Sequence, residues 1–146
     1  MKAAAECLVR AMRIEEKTHG ADHLHVAVRL SNLALVLREI GTADNLELAV
    51  KCLERALVID EKTIGGLHPE YSKHLSNLAA VLKDIGGVEN LRRAEQHVRR
   101  ALAIDERVLG SEHPNVALDL SLLSSVLLAR GGRTGRACCE AESHSP

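Results

Sequence analysis

The chain has 146 residues, 46% of them hydrophobic and 27% charged, with 19 basic against 20 acidic side chains. That is the balance of one globular unit in water, and the near-neutral charge excludes a basic footprint for nucleic acid or for an anionic membrane. No apolar run approaches the roughly 20 residues of a bilayer span, and Met1-Lys2-Ala3-Ala4-Ala5-Glu6 reaches an acid before any leader-like core forms, so the expected location is cytoplasmic.

Six amphipathic segments with helical spacing follow one another, at about 3–18, 24–40, 45–64, 69–85, 90–109 and 114–130. The first carries Arg10-Ala11, Ile14 and Glu16 and stops at Gly20. The second places Leu30, Leu33, Ala34 and Leu37 on one stripe and ends at Gly41. The third reads Ala49, Cys52, Leu53, Ala56 and Ile59 and ends at Gly65; the fourth opens on Pro69, repeats the stripe as Leu75, Leu78, Ala79 and Leu82, and stops at Gly86. The fifth reads Ala94, Val98, Ala101 and Ile104 up to Gly110, and the sixth opens on Pro114 and is expected to end at Gly131. Residues 131–146 lose the apolar pattern and are expected to be a frayed or disordered tail. With no Trp or Phe and Tyr71 as the single aromatic, the core must be built from Leu, Val, Ile and Ala, and stacking platforms for single-stranded nucleic acid are missing.

The segments recur at an interval of 45 residues, as in Arg10-Ala11, Arg55-Ala56 and Arg100-Ala101, or Leu30-Ser31, Leu75-Ser76 and Leu120-Ser121. Ile14, Ile59 and Ile104 keep the register, as do His23, His68 and His113. A fixed period of this size is the signature of a repeat architecture. The expected organisation is one solenoid over 1–130, with units 4–48, 49–93 and 94–138 in phase.

By role, the first-helix stripes Leu30, Leu33, Ala34, Leu37 and Leu75, Leu78, Ala79, Leu82, with Ala49, Leu53, Ala56 and Ala94, Val98, Ala101 on the second helices, resemble the tetratricopeptide repeat family. Leu or Val stands throughout where the family has aromatics. The phrases Ala-Leu-x-Ile-Asp-Glu, Gly-x-x-His-Pro and Leu-Ser-Asn-Leu-Ala are similar to the long repeats of kinesin light chains. The unit here is a few residues longer, and the Gly41-to-Ala49 spacing places the excess in the turn between paired helices.

The resemblance implies an all-α fold, a right-handed α-solenoid of antiparallel helix hairpins with about three repeats, whose first-type helices line a concave, partner-binding face. The positions expected there are Ser31, Asn32, Leu35, Arg38, Lys73, Ser76, Asn77, Lys83, Ser121 and Leu122. Kinesin-light-chain-like grooves use Asn at the position of Asn32 and Asn77, where a carboxamide can both donate to and accept from an extended peptide backbone. Arg38, Lys73 and Lys83 would draw acidic ligands, with Glu39 and Asp84 softening that preference.

Other groupings are weaker. Equivalent positions on neighbouring repeats lie about 10 Å apart, too far for His23, His68 and His113, or Cys7, Cys52 and His97, to share a metal held at about 2 Å. The three His-Pro or His-Leu histidines are expected to turn the chain into the next helix, and Cys138-Cys139 to be a tail feature with reduced thiols. Gly65-Gly66, Gly86-Gly87 and Gly131-Gly132 lack the Lys-Ser/Thr of a phosphate loop. The expectation is therefore a non-catalytic module with no cofactor and no metal, binding a protein or peptide but neither nucleic acid nor membrane. The alternative is an architectural or oligomerising spacer, possible as a fragment of a larger signalling or transport adaptor. Both end helices lack a stacking partner and Leu118, Leu122, Leu127 and Leu128 crowd the last one, which predicts self-association end to end or excision from a longer protein.

Overall fold

The computed structural model describes residues 2–20 and 23–134. Six α-helices follow in order: α1 (Lys2–His19), α2 (Leu24–Ile40), α3 (Ala43–Thr63), α4 (Pro69–Ile85), α5 (Val88–Leu109) and α6 (Pro114–Thr134). Among the described residues there is no strand, and the helices coincide with the six expected segments to within a few residues.

Three of the helix starts share one chemical cause. His23, His68 and His113 precede α2, α4 and α6, and the Nδ1 of each accepts the backbone N–H two residues on, from His25 at 3.1 Å, Glu70 at 3.0 Å and Asn115 at 3.1 Å. An imidazole thus does the work that Ser or Asp does at other helix N-termini, satisfying one of the first-turn donors that have no partner inside the helix. Pro69 follows as the first residue of α4, where its missing N–H costs nothing.

Two joints differ from expectation. The turn between α2 and α3 is only Gly41 and Thr42: Gly41 adopts φ 78° and its N–H reaches Leu37 O, and Thr42 Oγ1 accepts from Asn45 N at 3.3 Å. The length assigned to that turn lies in α3 instead, because a Thr cap followed by Asp44 in the first turn favours an early helix start. At the other end, α6 runs through Gly131 to Thr134 rather than stopping. A glycine ends a helix when it turns left-handed, and Gly131, unlike Gly41, is not at positive φ. Residues 135–146, including Cys138 and Cys139, lie outside the described residues.

Consecutive helices pack against each other along the chain, and α4 also touches both α2 and α6. Small residues set the spacing: Ala27, Ala34, Ala49, Ala56, Ala79, Ala94 and Ala101 are fully buried, with Leu30, Leu53, Leu75, Leu78, Leu82 and Val98 filling between them. The odd-numbered helices keep their backbones apart and are bridged by long side chains, Arg55 to Glu16 at 3.0 Å and Arg93 to Glu54 at 3.7 Å. The even-numbered helices are close enough for short ones, as Asn77 donates to Ser31 Oγ at 2.9 Å and Ser76 to Asp119 at 2.9 Å. One layer is therefore tighter than the other. Tyr71, buried at the start of α4, donates from its hydroxyl to Glu61 at 2.6 Å and lies under the Arg100 guanidinium, 5.0 Å from the ring centre.

Candidate functional site

The tighter layer carries a groove of about 460 Å³. Arg38 of α2 stands at one side, Glu70, Lys73, Ser76, Asn77 and Ala80 of α4 run along the middle, and Asn115, Leu118, Asp119 and Leu122 of α6 form the other side, with Asp105 of α5 beneath. Its volume falls within the range of about 300–1,000 Å³ typical of ligand clefts.

Of the residues expected on the concave face, Arg38, Lys73, Ser76, Asn77 and Leu122 are brought together here. Asn32, Leu35 and Lys83 are half-buried and Ser121 is exposed, and these do not line it; Ser31 is buried, its hydroxyl taken up by Asn77. Asn77 spends one amide hydrogen on that bond, which leaves its other hydrogen and its carbonyl oxygen for a ligand. Arg38 is held by Asp84 at 2.5 Å, so its charge is largely neutralised where it stands. Lys73 is exposed.

Two groups were not anticipated. Burial, and the Asp105 carboxyl beside it, push the Asp119 carboxyl up to about 7 from its ordinary 3.8, against the lowering effect of Ser76. Sequence offsets carried this signal: Asp105 is the counterpart of Asp60 and Glu15, and Asp119 of His74 and Arg29, each 45 residues apart. The second group, Glu15, His19 and His25, brings three potential metal ligands within 4.8 Å at the α1–α2 joint. Glu15 is also 3.7 Å from Arg29, and His19 stacks on His23 with ring centres 4.5 Å apart. Ion pairing and ring stacking account for this cluster, and its ligands come from residues only four and ten apart, not from the repeat positions considered in the sequence.

The other candidates have structural roles. Cys52 is buried, and desolvation raises its thiol pKa, making it a poor nucleophile. Cys7 is exposed. His97 is half-buried, and desolvation together with Arg93 and Arg100 lowers its pKa, which favours the neutral ring. No helix is long and apolar enough to cross a membrane, among the described residues.

Hairpins pack in chain order, and the closer-set layer of even-numbered helices carries the groove. Residues 73–115, from within α4 through α5 to the first turn of α6, are similar to the tetratricopeptide repeat family, whose repeats generally mediate protein–protein interactions. No curated protein matches the chain closely enough to serve as a relative.

Proposed function

We propose that the chain is a non-catalytic interaction module that holds an extended peptide or partner segment in the groove between α2, α4 and α6. The groove itself is the observation that carries this reading, because it combines an apolar side with amide, hydroxyl and charged groups along one helix. In this reading the 45-residue units stack as a right-handed solenoid of about three repeats, with the even-numbered helices on the concave side. Closer spacing of those helices is what such curvature requires. The likeness of the Ala-Leu-x-Ile-Asp-Glu and Leu-Ser-Asn-Leu-Ala phrases to long kinesin-light-chain repeats fits an adaptor of the cytoplasm.

The test is an array of extended peptides, with the best binders measured by calorimetry. Asn77→Ala is expected to weaken binding about 2- to 10-fold, the worth of one net hydrogen bond, while Gln96→Ala on exposed α5 surface leaves it unchanged. Binding that is equal in the wild type, Asn77→Ala and Lys73→Ala would remove the groove as the site.

One observation favours self-association as a second reading. Leu75 and Leu82 of α4 are 1% exposed, whereas their counterparts on α6, Leu120 and Leu127, are 50% and 36% exposed, beside Leu118 and Leu128. An unpaired stripe of this kind is a contact surface. Sedimentation across a concentration range is expected to show dimers that Leu120→Glu converts to monomers without loss of groove binding; a wild type that stays monomeric throughout rules this out.

A further inference from the structure

Across each joint between an odd helix and the next even one, two positions fourteen residues apart face each other. At the first joint they are Glu15 and Arg29, 3.7 Å apart; at the second, Asp60 and His74, hydrogen-bonded and buried. Each pairs an acid with a base. At the third, both positions are acids, Asp105 and Asp119. They are 3% and 4% exposed, and both line the groove.

The donors around this pair are too few for two carboxylates. Ser72 donates to Asp105 Oδ1 at 2.5 Å and Ser76 to Asp119 Oδ1 at 2.9 Å, while Asp119 Oδ2, with no access to solvent, has no hydrogen-bond partner. A buried carboxylate oxygen without a donor is costly. The joint thus lacks the nitrogen base that the other two joints supply from their own chain.

We infer that the ligand supplies it: the groove takes a peptide bearing a lysine or arginine whose side-chain cation seats between Asp105 and Asp119. This rests on the groove reading above and gives the ligand its charge. The other charged groups facing the pair are Glu70 and Lys73 on α4 and Arg38 on α2. Arg38 is already neutralised by Asp84, so Lys73 alone opposes an incoming cation, and it is exposed. A basic side chain suits the place better than a metal ion, since a hard cation such as Ca²⁺ needs about 6–8 oxygen ligands. At the two other joints the partner is a nitrogen base. The proton that Asp119 holds at neutral pH is displaced when the cation binds.

The probe is Nα-acetyl-lysine methylamide, added at tens of millimolar to the full chain at matched ionic strength. Its norleucine counterpart and CaCl₂ serve as comparisons, and the carboxyl carbons of Asp105 and Asp119 are followed by NMR through a pH titration. The lysine compound is expected to lower the Asp119 midpoint by about one unit, a tenfold preference for the ionised form. Norleucine and calcium leave the midpoint in place, and in Asp119→Asn the lysine compound no longer perturbs Asp105. A midpoint that lysine does not move, that norleucine moves equally, or that calcium moves instead, overturns the inference. Because the probe carries no peptide chain, its failure beside intact peptide binding sinks only the cation site, whereas a lysine response without any peptide binding sinks the groove reading.

Discussion

Replacing His74 by Ala is expected to lower folding stability by about 3 kcal/mol, since it leaves a buried carboxyl group without its hydrogen-bond partner. His74 Nδ1 meets Asp60 Oδ2 at the α3–α4 joint, with His74 1% and Asp60 0% exposed. Asp60 Oδ1 has no other hydrogen bond, so the imidazole is the group that compensates this carboxylate. Without it, both carboxyl oxygens of Asp60 stand buried with no partner. Against a typical total of about 5–15 kcal/mol for a domain, the loss is large. Removing both partners at once, as Asp60→Leu with His74→Leu, is expected to cost far less, since no buried polar group is then left unsatisfied. Denaturant midpoints of the two single variants and the double variant give the coupling. If His74→Ala shifted the midpoint no more than an exposed substitution does, the pair would not be holding the joint.

The helices were legible in the sequence because two periods coincide there. The 3.6-residue stripe marks each helix, and the 45-residue recurrence says the stripes must be buried in equivalent ways, as Leu30 and Leu75 are. Where a helix starts and stops was less legible, because that depends on a cap rather than on a stripe. Thr42 begins α3 earlier than the apolar pattern does, and Gly131 does not turn left-handed. The candidate site was legible in part for a related reason. A helical wheel says which side chains leave the core face, and it found Arg38, Lys73, Ser76, Asn77 and Leu122. It does not say what stands opposite. Ser31 and Ser76 hold the same repeat position, yet one is closed off by Asn77 while the other meets Asp119 at the groove. The acidic pair was present in the numbering, as positions 15, 60, 105 and 29, 74, 119, but only packing shows that the two series touch.

The stability of the unliganded chain is expected to fall as pH rises from about 4 to about 7, the reverse of the usual carboxylate effect. Asp119 has its folded pKa raised to about 7 by burial and by Asp105, against 3.8 when exposed. Between these values the folded protein holds a proton that the unfolded chain has released. The difference in bound protons, unfolded minus folded, is then negative, so stability declines with pH across that window and levels off above it. The full effect is on the order of 4 kcal/mol, at 1.36 kcal/mol for each pKa unit. Other carboxylates contribute slopes of the opposite sign, so the informative quantity is the difference between the wild type and Asp119→Asn. Asparagine cannot ionise, still accepts from Ser76 and can donate to Asp105, so the variant is expected to match the wild type near pH 4 and exceed it at pH 8. Parallel curves for the two proteins would show that the carboxyl pair does not hold the proton. The same linkage orders the ligand effect: a cation that seats on the ionised pair binds more tightly at pH 8 than at pH 5. Nα-acetyl-lysine methylamide should therefore raise the melting temperature of the wild type most where the unliganded protein is weakest.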